Sequence, residues 1–182
     1  MRYIFITHKF DLYLKLYLFS IIMTSKYFYT KLIQEKELIS SKELCNDIDN
    51  VLLEKLKNKL GNKCTKEGYI EEDSIKMIER SVGKIITSHF SGNIEYNVKL
   101  QVNTCNPSQG DIITCKVLGK NKIGIICKKN PLLIALSKIH HQDNLSMFES
   151  VKVNDTINVE VICTKFEFND TEIHVIAKLH YN

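Results

Sequence analysis

The sequence predicts an α+β fold, with a small helix-on-antiparallel-sheet domain in residues 23–105 and a five-stranded β-barrel in residues 106–182. Three observations favour this fold. One segment has the apolar periodicity of a helix, one long segment alternates like a half-buried strand, and everything after Pro107 and Gly110 is strand-like. A chain of 182 residues is long enough for two small domains that share an interface.

The first 22 residues, "MRYIFITHKFDLYLKLYLFSII", are apolar and aromatic. His8, Lys9, Asp11 and Lys15 interrupt this run, so it lacks the roughly 18 uncharged residues of a membrane span, and no small-residue cleavage site follows. We predict a disordered extension, or a segment upstream of the true start at the next methionine. An amphipathic membrane-surface anchor is the alternative.

Residues 40–61 predict the clearest helix in the chain. Ser40 and Glu43 have the spacing of a capping box, and Gly61 supplies a stop signal. Between them, apolar residues recur at helical intervals and form one stripe: Leu44, Ile48, Val51, Leu52, Leu56 and Leu60. We expect the opposite, charged face to be solvated.

Strands are predicted on both sides of this helix. "KYFYTKLI" precedes it, a short strand around Tyr69 follows a polar loop, and two further strands meet near Ser91 and Gly92. In the second of these, residues 94–102 place Ile, Tyr, Val, Leu and Val at alternate positions with polar residues between them. Such alternation is typical of a half-buried antiparallel strand.

Five short strands are predicted after Pro107. "GDIITCKVL", "KIGIICKK" and "PLLIALSKI" are the first three, with Gly124 at a bulge or tight bend. A longer connection follows, with room for a short helix, and residues 155–179 then form a hairpin that turns at Asn169 and Asp170. The predicted inward positions of this hairpin are Ile157, Val159, Val161, Cys163, Ile173, Val175, Ala177 and Leu179. One long connection between the third and fourth of five strands is the layout of an oligonucleotide-binding barrel, S1-like in type.

Composition and motifs favour a binding protein over an enzyme. The formal charge of +4 is only mildly basic, and the six scattered cysteines lack metal-site spacing, which predicts reduced, structural thiols in an intracellular protein. The adjacent His140 and His141 are predicted to be exposed to solvent. Motifs for phosphate binding, a nucleophile elbow or a zinc protease are absent from the sequence. We therefore predict no catalytic residues, no cofactor and no metal site.

The order of these segments resembles the stalk subunit of multisubunit DNA-directed RNA polymerases, the family of the seventh subunit of RNA polymerase II and the archaeal E subunit. The resemblance covers roughly residues 25–182. Its segments, in chain order, are "KYFYTKLIQEKELI", the long helix, "GNKCTKEGYI", "SVGKIITSHFSGNIEYNVKLQV", a Gly-Asp barrel opening followed by K-x-G and two hydrophobic residues, and "VNDTINVEVICTKFEFNDTEIHVIAKL". The Ile/Lys/Asn-rich composition and the divergent loops look like those of a member from a large DNA virus.

The resemblance implies a non-catalytic subunit that acts in transcription initiation and elongation. Its first domain would dock on the polymerase core through two loops, and its barrel would contact nascent single-stranded RNA. A companion stalk subunit would be a further partner; the expected location is the nucleus or a cytoplasmic viral factory, with packaging in the virion as a further option. By position, the docking loops are residues 62–69 and 88–93, and the docking residues are Asn62, Lys63, Cys64, Thr65, Lys66, Glu67, Gly68, Tyr69, Ser91 and Gly92.

RNA contact is predicted to depend on lysines. Many S1-type barrels have an aromatic residue after the glycine of strand two, on which a base stacks, whereas this sequence has Ile125 and Ile126. The remaining candidates can follow a phosphate backbone without reading bases: Lys116, Lys120, Lys122, Lys128, Lys129 and Lys165. The alternative is that these lysines only keep the barrel soluble.

A free-standing S1-type RNA-binding protein, in translation or RNA handling, is the alternative function. Such a protein would work with residues 106–182 alone. A stalk subunit, in contrast, needs its first domain for stable incorporation into a polymerase.

Overall fold

The computed structural model describes residues 27–87 and 92–180. The extension predicted at residues 1–22 and the predicted docking residue Ser91 lie outside these ranges. Within them the predicted fold class is confirmed, because an antiparallel sheet with one long helix precedes a closed five-stranded barrel. The sheet part contains β1 (Phe28–Ile39), α1 (Ile48–Leu60), β2 (Lys63–Thr65), β3 (Gly68–Ile70), a 3₁₀ turn (Glu72–Ser74), β4 (Lys76–Arg80), β5 (Lys84–Ile85) and β6 (Ile94–Cys105). The barrel part contains β7 (Ile112–Lys120), β8 (Gly124–Lys129), β9 (Leu132–Ser137), a 3₁₀ segment (Lys138–Asn144), α2 (Leu145–Ser150), β10 (Thr156–Lys165) and β11 (Ile173–Leu179).

The strand β6 organises the N-terminal sheet because it pairs with four other strands. One edge runs antiparallel to β1, from Ile94 opposite Ile39 to Cys105 opposite Phe28. The other edge pairs in succession with β5, β4 and β3. Residues 94–102 therefore form the predicted half-buried antiparallel strand. The residues of β6 buried in the core with the apolar side of α1 are Tyr96, Val98, Leu100 and Val102.

The helix α1 begins later than predicted, at Ile48 rather than near Ser40, and Asp47 caps it. The capping-box hydrogen bonds do form, since the main-chain N–H and Oγ of Ser40 donate to Glu43 Oε2 at 2.9 and 2.8 Å. They close a separate turn that precedes the helix. Lys55 of α1 also donates to Glu43, and this hydrogen bond, with those from Ser40, lowers the pKa of the Glu43 carboxyl to about 2. The turn is thus tied to α1 by an ion pair.

The barrel closes in the order β7, β8, β9, β11, β10 and back to β7. Neighbouring strands are antiparallel except β9 and β11, which run parallel. This is the Greek-key order of an oligonucleotide-binding barrel. The predicted longer connection between the third and fourth strands holds the short helix α2, whose Phe148 is buried in the barrel core.

One predicted inward position in the last hairpin is wrong. Cys163 is exposed, because a bulge between Val161 and Cys163 shifts the register of β10 against β11 and reverses the inward and outward positions beyond it. The bulge of the first hairpin lies in β7, between Val117 and Gly119, and not at Gly124. A Cβ at Gly124 would lie 2.3 Å from the carbonyl oxygen of Leu136, so only glycine allows this close approach.

His141 is buried, so the prediction of an exposed histidine is wrong at this position and holds for His140 alone. Nδ1 of His141 lies 2.7 Å from the carbonyl oxygen of Ser137 and donates to it, while Nε2 accepts from the N–H of Leu179 at 2.8 Å. The ring packs against Phe148, with 4.6 Å between ring centroids. One side chain therefore ties the 3₁₀ segment to the last strand and closes the barrel at that end.

The N-terminal sheet and the barrel share a core where they meet. Cys64 of β2 pairs through its main chain with the loop between β10 and β11, because its N–H donates to Asp170 at 2.7 Å and its carbonyl oxygen accepts from Asn169 at 2.9 Å. The buried side chains of Tyr27, Cys64 and Cys105 belong to the same apolar cluster as the barrel interior. The predicted boundary after residue 105 thus falls inside a continuous core.

In the described ranges, the structure contains no helix with the length and apolar character needed to cross a membrane.

Cysteine labelling tests the burial pattern. Burial raises the pKa of the Cys64 thiol to about 11 and that of Cys105 to about 12. A hydrogen bond with Cys127, together with burial, raises the pKa of Cys115. Because protonated, buried thiols react slowly, a thiol reagent at about pH 8 should modify two cysteines in the native protein and all six in urea, as counted by intact mass. The exposed pair is Cys45 and Cys163, and the buried four are Cys64, Cys105, Cys115 and Cys127. Rapid native labelling of more than two would contradict the fold.

The His141 contact predicts a stability difference between adjacent histidines. His141→Ala leaves the Ser137 carbonyl and the Leu179 N–H without their partner and opens a cavity beside Phe148. We expect a loss of about 2–4 kcal/mol in the free energy of unfolding, measured by urea denaturation. The control His140→Ala should change it by less than about 0.5 kcal/mol because that side chain is exposed. Equal losses in the two variants would refute the structural role of His141.

Candidate nucleic-acid interface

A row of mostly basic side chains crosses the outer surface of the barrel. The strand registers place Lys116 beside Lys128, Lys128 beside Leu133, Leu133 beside His174, and His174 beside Lys165. Because the five strands form a closed barrel, these five positions run round its circumference, over about 19 Å measured along the surface, and they do not all face the same side. We call these five residues the basic row.

The alternation of the strands points the basic row outward. Lys116 lies between the buried Cys115 and Val117, and the other members likewise follow or precede interior residues. The bulge in β10 brings Lys165 into the row, because it places Cys163 and Lys165 on the outer side of the strand, where unbroken alternation from Val161 would turn both inward. Membership of the row therefore depends on the bulge in β10 as well as on the alternation of side chains along each strand.

The polar side chains of the basic row are largely accessible to a ligand. Lys116, Lys165 and His174 are exposed, and no ion pair links any of them to another residue in the described ranges. Lys128 is half-buried and pairs with Glu172 at 2.5 Å, which reduces the net charge at that point. His174 was not among the residues predicted from the sequence, although the alternation in β11 places it on the outer side.

The structure separates the other three predicted lysines from this row. Nζ of Lys120 donates to three main-chain carbonyl oxygens around the C-terminal end of α2, at distances from 2.6 to 3.3 Å. Lys120 therefore caps a helix. Lys122 lies in the turn between β7 and β8, and Lys129 ends β8. Both are exposed but stand outside the row.

An apolar row runs beside the basic row, one outward position further along each strand. It places Gly119 beside Ile126, Ile126 beside Ala135, Ala135 beside Ile176, and Ile176 beside Cys163. Ile126 and Ile176 are 46% and 42% exposed, and with Ala135 they line a shallow groove of about 280 Å³. Of the two isoleucines that stand where S1-type barrels have an aromatic residue, the first is buried and the second belongs to this apolar row.

The described residues of the two predicted docking segments lie at opposite ends of the β1–β6 pair. Residues 62–69 form the β2–β3 hairpin beside Cys105, where the sheet meets the barrel. Gly92 directly precedes the other end, where Ile94 pairs with Ile39. Twelve paired residues separate the two ends, a length of roughly 36 Å. Residues 62–69 and Gly92 therefore cannot belong to one small contact surface.

Part of the β2–β3 hairpin packs against the barrel, because Cys64 belongs to the apolar cluster of the barrel interior and Tyr69 packs against it. Cys64 and Gly68 are buried, and Gly68 has a φ of +112° that favours glycine. Asn62 and Lys66 are the exposed members of residues 62–69. Contact with another protein at this end would involve those two side chains first.

The opposite end of the sheet, which we call the distal end, exposes apolar side chains. Val82 is 90% exposed and Ile85 is 63% exposed. Both lie beside the start of β6, because the N–H of Ser81 donates to Asn97 and Ile85 pairs with Ile94. This end of the sheet combines accessible apolar surface with distance from the barrel.

Among the residues that the structure describes, no group of three or more His, Cys, Asp or Glu side chains is placed to hold a metal ion. The candidate interface therefore consists of the basic row and the apolar row. Such an arrangement can follow a phosphate backbone and offers few side-chain groups for reading base edges.

Comparison with known proteins adds one relative. No family model matches the chain. A protein of Acanthamoeba polyphaga mimivirus, named "Putative DNA-directed RNA polymerase subunit", is 30% identical to it over 169 residues. The match covers 85% of this chain and 82% of the mimivirus protein. Neither the sheet part nor the barrel part is that long, so the similarity extends over both.

Neutralising the basic row should weaken nucleic-acid binding without changing sequence preference. We expect the double variant K116Q/K165Q to bind single-stranded RNA more weakly and to lower the slope of log Kd against log salt by about 1.4, since each lost phosphate contact contributes roughly 0.7. Fluorescence anisotropy over a salt series measures this change. Lys42→Gln, an exposed lysine of the N-terminal part, is the matched control and should bind as the wild type does. An unchanged slope in the double variant would rule out the row as a phosphate track.

Proposed function

We propose that this chain, which belongs to the family of the mimivirus DNA-directed RNA polymerase subunit, is the non-catalytic stalk subunit of a large-DNA-virus RNA polymerase. In this role its N-terminal sheet docks on the polymerase core, and its barrel contacts RNA that leaves the enzyme during initiation and elongation. The observation that carries the proposal is the extent of the family similarity, which spans both the sheet and the barrel. The site of action would be the nucleus or a cytoplasmic viral factory.

The shared core favours this role over that of a free-standing S1-type protein. Tyr27, Cys64 and Cys105, which precede the barrel in sequence, complete the apolar cluster of the barrel interior. A barrel of residues 106–182 alone would lose these side chains and expose the surface that they cover. The barrel is thus built to work with the N-terminal sheet attached, as a subunit with two different contacts requires.

Docking is best assigned to the distal end of the sheet. Val82 and Ile85 present apolar surface there, whereas among the predicted docking residues 62–69 only Asn62 and Lys66 are exposed. Exposed apolar side chains at the end of a rigid sheet are suited to insertion into a pocket of a larger protein. Gly92 lies at the same end and remains part of the proposed docking surface; Asn62 and Lys66 are secondary candidates.

A groove at the junction supports a companion stalk subunit as a further partner. The groove has a volume of about 590 Å³ and is bounded by β1, the end of α1, the β2–β3 hairpin and the loop between β10 and β11. Leu32 and Phe168 line it and are 56% and 67% exposed. The outer edge of β1 also pairs with no strand in the described ranges. Apolar surface beside an open strand edge is what a second subunit would cover.

The docking assignment predicts a selective effect of charge at the distal end. V82D/I85D should leave the fold intact, because both side chains are exposed, and should reduce recovery of large polymerase subunits with the tagged chain by at least about ten-fold. Affinity purification from cells that contain the polymerase, followed by quantitative mass spectrometry, measures this recovery.

The matched control for this experiment is Ile139→Asp, which changes a 72% exposed isoleucine of the barrel part. It should co-purify with the polymerase as the wild type does. Wild-type recovery with V82D/I85D would show that docking does not use the distal end. Loss of recovery with the control variant would indicate a contact through the barrel instead.

A further inference from the structure

The groove at the centre of the apolar row lies on three adjacent strands, and therefore on one side of the barrel. Ile126 of β8, Ala135 of β9 and Ile176 of β11 line it, and Ile123 of the turn between β7 and β8 extends it. Ile123 is 76% exposed, more than either of the other two isoleucines. A contiguous exposed aliphatic surface is typical of a site that binds another molecule.

The turn that carries Ile123 is fixed by hydrogen bonds. Oδ1 of Asn121 accepts from the main-chain N–H groups of Ile123 and Gly124, at 2.9 and 2.7 Å. The carbonyl oxygen of Ile123 accepts from the N–H of Lys138 at 3.0 Å, which ties the turn to the residue after β9. Because the main chain around Ile123 is already held, little of it has to become ordered on binding, and the entropic cost of binding is reduced.

The size and lining of the groove favour a protein segment as its occupant. Its volume of about 280 Å³ is smaller than that of most small-molecule sites, which begin at about 300 Å³. Among the described residues that line it there is no Phe, Tyr or Trp on which a nucleic-acid base could stack. An aliphatic side chain of another protein, in contrast, buries apolar surface against the isoleucines without any requirement for a flat ring.

The charges at the rim indicate what else such a segment carries. Lys122 lies in the same turn as Ile123, is exposed, and forms no ion pair with another residue in the described ranges. His140, which follows β9, lines the groove, and none of the described lining residues is acidic. An acidic side chain beside the aliphatic residues of a partner would therefore meet a cation and no repelling carboxylate.

The groove extends to the end of the barrel that is away from the N-terminal sheet. The loop between β10 and β11 contacts Cys64 of the sheet, and Glu172 of this loop pairs with Lys128 near the end of β8. The turn with Ile123 precedes the other end of β8, a strand of six residues and roughly 20 Å. A partner at this turn would therefore not compete with docking at the distal end.

We infer that this groove binds a protein segment that inserts aliphatic side chains between Ile126 and Ile176 and places an acidic side chain beside Lys122. The inference goes beyond the proposed function, because neither docking at the distal end nor phosphate contact through the basic row requires it. It assigns a role to Lys122, which stands outside the basic row, and to the exposed isoleucine beside it.

Selection from a displayed library of random peptides of about 12 residues on the immobilised full chain tests this inference. We expect the enriched peptides to carry at least two aliphatic residues next to Asp or Glu. The variant I126T/I176T removes aliphatic surface, while threonine keeps the β-branched shape that suits a strand. It should bind a fluorescein-labelled enriched peptide roughly five- to thirty-fold more weakly than the wild type, as measured by fluorescence anisotropy.

Lys122→Glu tests the charge at the rim and, because it changes an exposed turn residue, provides a second test if the double variant does not fold. It should weaken binding of the same peptide roughly three- to ten-fold. A new selection on K122E should enrich peptides with Lys or Arg in place of Asp or Glu. The matched controls are Leu38→Thr in β1, where the leucine is 44% exposed, and Lys42→Glu, and both should bind the peptide as the wild type does.

The inference is overturned if no peptide is enriched over the starting library, or if I126T/I176T and K122E bind the enriched peptides normally. It is also overturned if I126T/I176T weakens binding of a labelled single-stranded RNA as much as that of the peptide, since the groove would then hold bases. A wild-type dimer in size-exclusion chromatography that I126T/I176T abolishes would overturn it as well, because the occupant would be a second copy of the chain.

Discussion

The main-chain pairing of Cys64 with Asn169 and Asp170 is the constraint on which the arrangement of the two parts depends. It joins an edge strand of the N-terminal sheet to the loop between the last two barrel strands. The side chains around it are buried in the core of the barrel, so the joint is apolar as well as hydrogen-bonded. Buried main-chain groups without partners are costly, and the two parts would therefore separate only with a substantial loss of stability. The chain is organised as one unit with two different ends.

That joint gives the two ends of the sheet different properties. The end beside Cys105 is covered by the barrel, whereas the end with Val82 and Ile85 extends away from it along the twelve-residue pairing of β1 and β6. A subunit that docks at one end and holds RNA at the other requires such a separation. The basic row lies on the barrel, across the joint from the distal end, so the proposed docking contact and the proposed RNA contact use different parts of the chain.

Much of the fold could be predicted from the sequence because it depends on local patterns. The alternation in β6, the apolar stripe of α1 and the order of the barrel strands were all visible in the residues themselves. The Ser40–Glu43 pair was misleading, since the same hydrogen bonds that cap a helix also close an isolated turn. The exposure of Cys163 is caused by a bulge that the local sequence pattern does not predict. The burial of His141 depends on a hydrogen bond with Leu179, which is distant in sequence.

The candidate site was only partly predictable for a related reason. Lysines can be listed from the sequence, but the register between non-adjacent strands decides which of them are neighbours. The parallel pairing of β9 with β11 places His174 beside Leu133, and the capping of α2 removes Lys120 from the surface row. The separation of Gly92 from the docking residues 62–69 is also a property of the folded sheet, because about 36 Å of paired strand lies between them.

Electron cryo-microscopy of polymerase purified through the tagged chain would show both the docking contact and the position of the barrel. We expect a stoichiometric subunit whose distal end, around Val82 and Ile85, inserts into the polymerase body. We also expect the barrel to project outward, with lysines of the basic row facing the path of RNA leaving the enzyme. Particles that lack the chain, or that hold it through the barrel with the distal end in solvent, would refute the proposed stalk role.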